Sequence, residues 1–240
     1  MFFVPLTYTE KYILEQKSYK CKCLIDGMAS TKLGLINFWK QYFNFRDEEV
    51  KAFTEVKRED FIPETFKNKA YLDAPLPLLR GKTISQPTTV MIMTAALEIK
   101  DGEKIFEVGT GSGYQAAILA KLAGSGKVVS TEVIPELVGF ARTNLKKAKI
   151  KNVDVYETDG SRGFEKEGEF DKIIITAACK EFPQPLLDQL KIGGIIIGPV
   201  GSKDEQIMIK ATKLGNGRLE LEFLGPFLFT PMYGRYGFEI

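Results

Sequence analysis

The chain has 240 residues, which fits one large domain, or one domain with an appendage, and is long enough to bury a sizeable core. Hydrophobic residues make up 44% and charged residues 27%, an ordinary globular mixture, and 33 Lys plus Arg against 31 Asp plus Glu leave a net charge of +2, which excludes a broad nucleic-acid footprint. There is no histidine, so Ser-His-Asp and Cys-His nucleophiles, His-ligated metals and imidazole proton shuttles are all excluded.

Residues 1–33 carry turn-formers and scattered aromatics without a clean period, and read as an extension of open role. The run Met1 to Leu6 is apolar but lacks the basic n-region and cleavage site of a secretory signal. Cys21 and Cys23, one residue apart with no histidine to join them, read with Cys179 as reduced thiols of a cytoplasmic protein. No run of 18 apolar residues exists, so no membrane span is expected. Behind Asp47, a candidate N-cap, Val50, Phe53 and Val56 recur every three residues and predict a short helix over 47–56. Arg58 to Pro63 then reads as the helix exit. Residues 68–87 are rich in Pro, Gly and Asp and predict an extended or looped arm. Pro87 stands early in a helix expected to run to about residue 98, where its missing N–H costs nothing, and Ser85 is a candidate cap for it.

From residue 104 the rhythm changes. Apolar strands are expected at 105–108, 127–131, 153–156, 172–176 and 194–200. Helices at 114–123, 135–148 and 185–190 fall between them. That alternation implies βαβ units and a mostly parallel sheet covered on both faces. Strand-like stretches at 206–211 and 219–224, with glycine turns between, predict an antiparallel closing pair. The expected fold class is therefore α/β. The expected division is an extension over 1–33, a helical and loop subdomain over 34–85 and a ligand-binding core over 86–240.

The strongest local signal is Glu107-Val-Gly109-Thr-Gly111-Ser-Gly113, which leaves a strand and opens a helix. Glycines there let the backbone turn tightly and approach a ligand closely. A dinucleotide or S-adenosylmethionine fits such a loop. The dinucleotide fingerprint wants Gly where Tyr114 stands, and no Walker lysine follows Gly113. An acidic Glu107 ahead of the first glycine suits a cationic ligand, through its ammonium or through water, and so points to S-adenosylmethionine. Glu132, nineteen residues after Gly113 at a strand end, is placed to accept from two ribose hydroxyls. Asp159-Gly160 follows the third strand. Alone it is an ordinary turn; beside the other two strand ends it is a candidate for the adenine amino group. All three loops lie where open α/β sheets bind ligands.

Thr83-Ile-Ser-Gln-Pro87, the glycine run through Tyr114-Gln115, Asp159-Gly160, Thr176-Ala-Ala178 and Gly193-Gly194 with Pro199-Val-Gly201 occur in an order that resembles the protein-L-isoaspartate O-methyltransferases. Arg58 to Pro63, Ala70 to Asp73 and Thr230 to Gly237 look like further parts of that family, so the resemblance covers about residues 35–240. It implies a Rossmann-like methyltransferase sheet and S-adenosylmethionine as cofactor. It also implies isoaspartyl-containing proteins as substrates, with neither nucleic acid nor membrane as partner. It places Ser85 beside the methyl acceptor as the catalytic position. Thr83, Ile84 and Gln86 would line the cofactor and acceptor cleft. Ser112, Glu132 and Asp159-Gly160 would serve the cofactor, and Thr176, Ala177 and Ala178 would border the peptide. Cys179 and Lys180 depart from the small or acidic residues common there.

The implied reaction needs no imidazole. A carboxylate with a pKa near 4 is about 99.9% ionised at pH 7, so no base is required. The leaving thioether is neutral, so no acid is required either. Positioning remains, and it is worth roughly 7–11 kcal/mol. A tRNA base or a corrin precursor as acceptor, or a non-catalytic cofactor-binding module, would keep the same glycine loop. A base acceptor would favour a basic, aromatic cleft that the near-neutral charge does not announce.

Overall fold

The structure, a computed structural model, describes residues 30–239, so Cys21, Cys23 and most of the 1–33 extension lie outside the described residues. Seven strands form the main sheet: β3 (Lys104–Val108), β4 (Lys127–Glu132), β5 (Val153–Glu157), β6 (Phe170–Ile175), β7 (Leu190–Gly201), β8 (Gln206–Lys213) and β9 (Leu219–Phe227), in the order β5-β4-β3-β6-β7-β8-β9. The pairs from β5 through β7 are parallel, and β8 and β9 close the edge antiparallel. The expected α/β sheet with an antiparallel end is therefore what forms. Strand ends moved by one to four residues, most at β7, whose bulged start pairs Leu190 with Phe170.

The two-residue period sorts the core. Ile105, Val128, Ile174, Ile195 and Ile197 face one side, where they meet Met93, Leu97, Leu119 and Ala120 from the covering helices. Phe106, Val129, Ile173, Ile175 and Ile196 face the other, against Leu186 of α6 (Gln184–Gln189). The first covering layer comprises α3 (Pro87–Ala96) and α4 (Tyr114–Ala123), with α5 (Pro135–Lys147) alongside. Helix α4 is apolar all round because it is enclosed: Leu119 and Ala120 press on the sheet, while Ala117 and Ile118 meet the N-terminal layer. No described helix is long and apolar enough to cross a membrane.

The N-terminal layer holds α1 (Lys32–Tyr42), which sequence patterning did not resolve, and α2 (Asp47–Glu55). Helix α1 starts inside the stretch assigned to the extension, so the unassigned segment ends by residue 31. It buries Leu35 and Trp39, four residues apart on one face, with Trp39 edge-on to Phe53 at 4.6 Å. Asp47 is not the cap of α2. Arg46 takes that place, and Glu49 reaches back to accept its backbone N–H at 2.8 Å. The arm is two 3-10 turns and a short hairpin, β1 (Leu76–Pro77) with β2 (Thr83–Ile84).

Ser85 does not cap α3. The cap position is Gln86, without a side-chain bond of its own. Asp73, from the arm, does the capping from a distance: its carboxylate accepts the Thr88 N–H at 2.9 Å and the Thr88 hydroxyl at 2.8 Å. The Trp39 indole N–H donates to that same hydroxyl at 2.8 Å, so one acid joins α1, the arm and α3. Asp73→Ala leaves buried donors unpaired and is expected to cost about 2–3 kcal/mol, read as a lowered urea midpoint with unchanged slope. Stability within about 0.5 kcal/mol of wild type would show that the cap is dispensable.

Candidate active site at the carboxyl edge of the sheet

The strands β3, β4, β5 and β6 deliver four loops to one edge. The glycine loop after β3 is bound to its neighbours through its backbone. Gly109 and Thr110 both donate N–H groups to the Thr131 carbonyl, at 2.9 and 3.1 Å. Gly109 has φ +99°, and a Cβ there would meet the Thr176 Oγ1 at 2.5 Å, so only glycine fits. That Thr176 hydroxyl donates to the Gly109 carbonyl at 2.6 Å, fastening the end of β6 to the loop. Gly111, at φ +54°, has open space where a Cβ would stand, so the loop presents bare backbone to the cleft.

Glu132 is buried, with its carboxylate held by three backbone N–H groups: Gly111 at 2.9 Å, Val133 at 2.9 Å and Ile134 at 3.2 Å. This fixes both oxygens at the cleft wall while lone pairs remain for a ligand's hydroxyls. Gly160 packs against the Thr131 side chain, where a Cβ would lie 2.1 Å from its hydroxyl. Asp159 behaves differently from the expectation of a ligand acceptor. Its Oδ1 accepts from the Ser161 N–H and hydroxyl, and its Oδ2 accepts from the Arg235 N–H at 2.7 Å. It thus pins the closing segment, residues 230–238, to the post-β5 loop.

Glu107 is fully buried beneath the glycine loop rather than on the cleft wall, because residue 107 points into the layer under the loop. The Ser130 hydroxyl donates to one carboxylate oxygen, and the other oxygen has no partner among the described residues. Burial pushes this carboxyl up to about 8, the Ser130 bond pulls against that, and the nearby Glu132 charge pushes it further up.

The cleft runs between the glycine loop, the β2 arm and the closing segment. Of the residues singled out from sequence, Thr83, Ile84, Ser85, Gly109, Gly111, Ser112, Glu132, Gly160, Thr176 and Ala177 line it; Gln86, Glu107, Gly113, Asp159 and Ala178 do not. Gly113 sits behind the wall as the left-handed N-cap of α4, against Ala141 and Leu145. Ala178 is spent on structure, exchanging backbone bonds with Thr230 and Met232 at 2.9 and 2.8 Å. Sequence reasoning missed several wall residues. Val133, Ile134 and Leu137 supply an apolar surface beside Glu132, and Tyr114 and Gln115 open α4 at the cleft floor. Thr230 to Tyr233 form the far wall. The apolar pair after Glu132 was a legible signal, since a flat aromatic ligand beside a ribose wants such a surface. Ser85 is half-buried, and its hydroxyl has no hydrogen-bond partner among the described residues.

The family model for protein-L-isoaspartate(D-aspartate) O-methyltransferases matches residues 31–237. The chain belongs to that family. A protein-L-isoaspartate O-methyltransferase of Archaeoglobus fulgidus is 44% identical over 201 residues, spanning 83% of this chain and 91% of the relative. One from Methanoculleus marisnigri is 44% identical over 194 residues, 80% of this chain and 87% of the relative. Among solved structures, a protein-L-isoaspartate O-methyltransferase superposes with TM-score 0.77 at 28% identity, covering 86% of this chain and 67% of its own. A Plasmodium falciparum structure described as a possible member, in complex with S-adenosyl-L-homocysteine, gives TM-score 0.73 at 26% identity, covering 84% and 97%. In this methyltransferase the motif order read from sequence and the carboxyl-edge cleft coincide.

The buried Glu107 predicts a pH dependence. Below about 4.5 both the folded and unfolded forms hold its proton. Between about 4.5 and 8 the folded form keeps a proton that the unfolded form has lost, so stability falls as pH rises through that window. Glu107→Gln keeps an acceptor for Ser130 and removes the titration. Urea denaturation is expected to show the variant losing less stability than wild type between pH 5 and 8, by on the order of 2 kcal/mol. Equal losses would show that Glu107 is ionised in the folded protein throughout.

Proposed function

We propose that this cleft binds S-adenosylmethionine and directs its methyl group to the free carboxylate of L-isoaspartyl residues, with Ser85 at the acceptor. When bound, the cofactor supplies an activated methyl group on a sulfonium and departs as a neutral thioether. The residues present suit it. Gly111 leaves room for close backbone approach, Glu132 offers fixed acceptor oxygens, and Ile134 and Leu137 offer an apolar surface. Ser112 and Gly160 complete the cofactor side, and Thr83, Thr176 and Ala177 the acceptor side.

The observation that carries this reading is Ser85. Its hydroxyl stands on the cleft wall, has no partner among the described residues, and is relieved of capping α3 by Asp73. A neutral donor orients an ionised carboxylate without quenching it as an ammonium in direct contact would. The chemistry then rests on geometry, which is why a protein without histidine is equipped for it. Residues 86–240 carry the cofactor core and residues 34–85 the acceptor-side layer in this reading. Sparse cysteine supports a reducing, cytoplasmic setting.

The test is methyl transfer from labelled cofactor to an isoaspartyl peptide and to its aspartyl twin. Methylation of the first alone is expected; methylation of neither refutes the proposal. Ser85→Ala is expected to lower kcat by about tenfold or more while the cofactor Kd moves less than about twofold, the loss corresponding to one hydrogen bond to a charged group. A parallel loss of cofactor binding would assign Ser85 to the scaffold instead.

A further inference from the structure

The charge inventory of the cleft is short. Among the described residues that line it, Glu132 is the one carboxylate and Lys82 the one cation. Glu132 is bound by three backbone N–H groups, so its charge is already engaged. Lys82 is not. It makes no ion pair and no side-chain hydrogen bond among the described residues; its ammonium rests 4.2 Å above the ring of Tyr233, which forms the opposite wall. A second lysine repeats the arrangement further along the same segment, with the exposed Lys180 ammonium 5.6 Å over the Phe238 ring. The arm and the closing segment therefore meet through a cation seated on an aromatic face. The acceptor side of the cleft is net positive.

A cation–π contact is weak at a half-exposed site and leaves an ammonium's outer face available. Lys82 also lies three residues before Ser85. Along extended backbone that is about 10 Å, or about three residues of a peptide laid beside β2. With its ammonium seated on the Tyr233 ring, Lys82 is placed to meet a neighbouring side chain of such a peptide rather than the carboxylate at Ser85. A side chain one or two positions away on the same peptide is within its reach.

The geometry points to Lys82 as a specificity residue for the acceptor: it selects isoaspartyl segments that carry a second carboxylate close to the isoaspartyl residue. The inference rests on the isoaspartyl reading of the cleft. It adds the substrate class, an acidic peptide, and the residue that recognises it. It also separates recognition from reaction. Attraction comes from a cation held on Tyr233, while the reacting oxygen meets only the neutral Ser85 hydroxyl.

The experiment uses isoaspartyl hexapeptides with Glu, Gln or Lys at a single position, scanned from two residues before to two residues after the isoaspartyl residue. The full chain is assayed as wild type, Lys82→Gln, Lys82→Glu and Tyr233→Phe. The readout is the ratio of kcat/KM between Glu and Gln peptides, which a uniform loss of activity does not change. Wild type is expected to favour Glu about three- to fivefold at one position or more, the range of a partly exposed ion pair. Raising salt to 0.5 M should shrink that ratio, since screening then acts over about 4 Å. Lys82→Gln should bring the ratio to about one, Lys82→Glu should invert it, and Tyr233→Phe, which keeps the ring, should preserve it. If the isoaspartyl peptides are all methylated at equal rates, or Lys82→Gln retains the preference, this inference is overturned while the parent reading stands. If no isoaspartyl peptide is methylated, both fall.

Discussion

The site depends on one set of bonds, those that tie the glycine loop to the strand ends on either side of it. Thr131 receives two N–H groups from the loop, Glu132 receives a third, and the Thr176 hydroxyl holds the loop from the opposite side. Parallel pairing of β3 between β4 and β6 is what brings those three partners to one edge. The loop cannot be swapped for a similar turn elsewhere in the chain, because its conformation is set by neighbours distant in sequence. Gly109 shows the constraint most clearly: its positive φ and the Thr176 hydroxyl beneath it both forbid a side chain.

Around this fixed edge the chain distributes charge with care. Of the buried acids, Glu132 is held by three backbone N–H groups, Glu49 is paired with Arg46, and Glu107 is pushed toward its neutral form by burial. An unpaired buried charge is costly, and each acid avoids that cost in its own way. The catalytic consequence is a cleft with few charges, in which an ionised acceptor is the reactive group and the protein supplies position. The absence of histidine is consistent with that division of labour.

The two elements that close the cleft come from outside the sheet. The β1–β2 arm brings Lys82 to Ser85, and the closing segment brings Thr230 to Tyr233. Asp73 anchors the first through Thr88, and Asp159 anchors the second through Arg235. Both anchors are single carboxylates accepting backbone N–H groups across long sequence separations. Arm and segment then meet through Lys82 and Tyr233.

Sequence alone determined the sheet, the glycine loop and the strand-end acids, because hydrophobic period and glycine placement are local properties that survive in one dimension. It gave Glu132 its place at a strand end, and the motif order that marks the family. It missed α1, whose fully buried residues are just Leu35 and Trp39 and which packs on Phe53 and Phe45 from the segment that follows it. It did not show that Asp159 accepts from Arg235 or that Glu107 is fully buried, and it placed the cap of α3 on Ser85 where Gln86 stands. Whether an acid faces a ligand, a backbone N–H or an apolar layer depends on which distant segment folds against it. Only the tertiary structure decided that Asp159 holds the closing segment, that Glu107 lies under the loop, and that Asp73, twelve residues before Ser85, caps α3 while the Ser85 hydroxyl has no partner among the described residues.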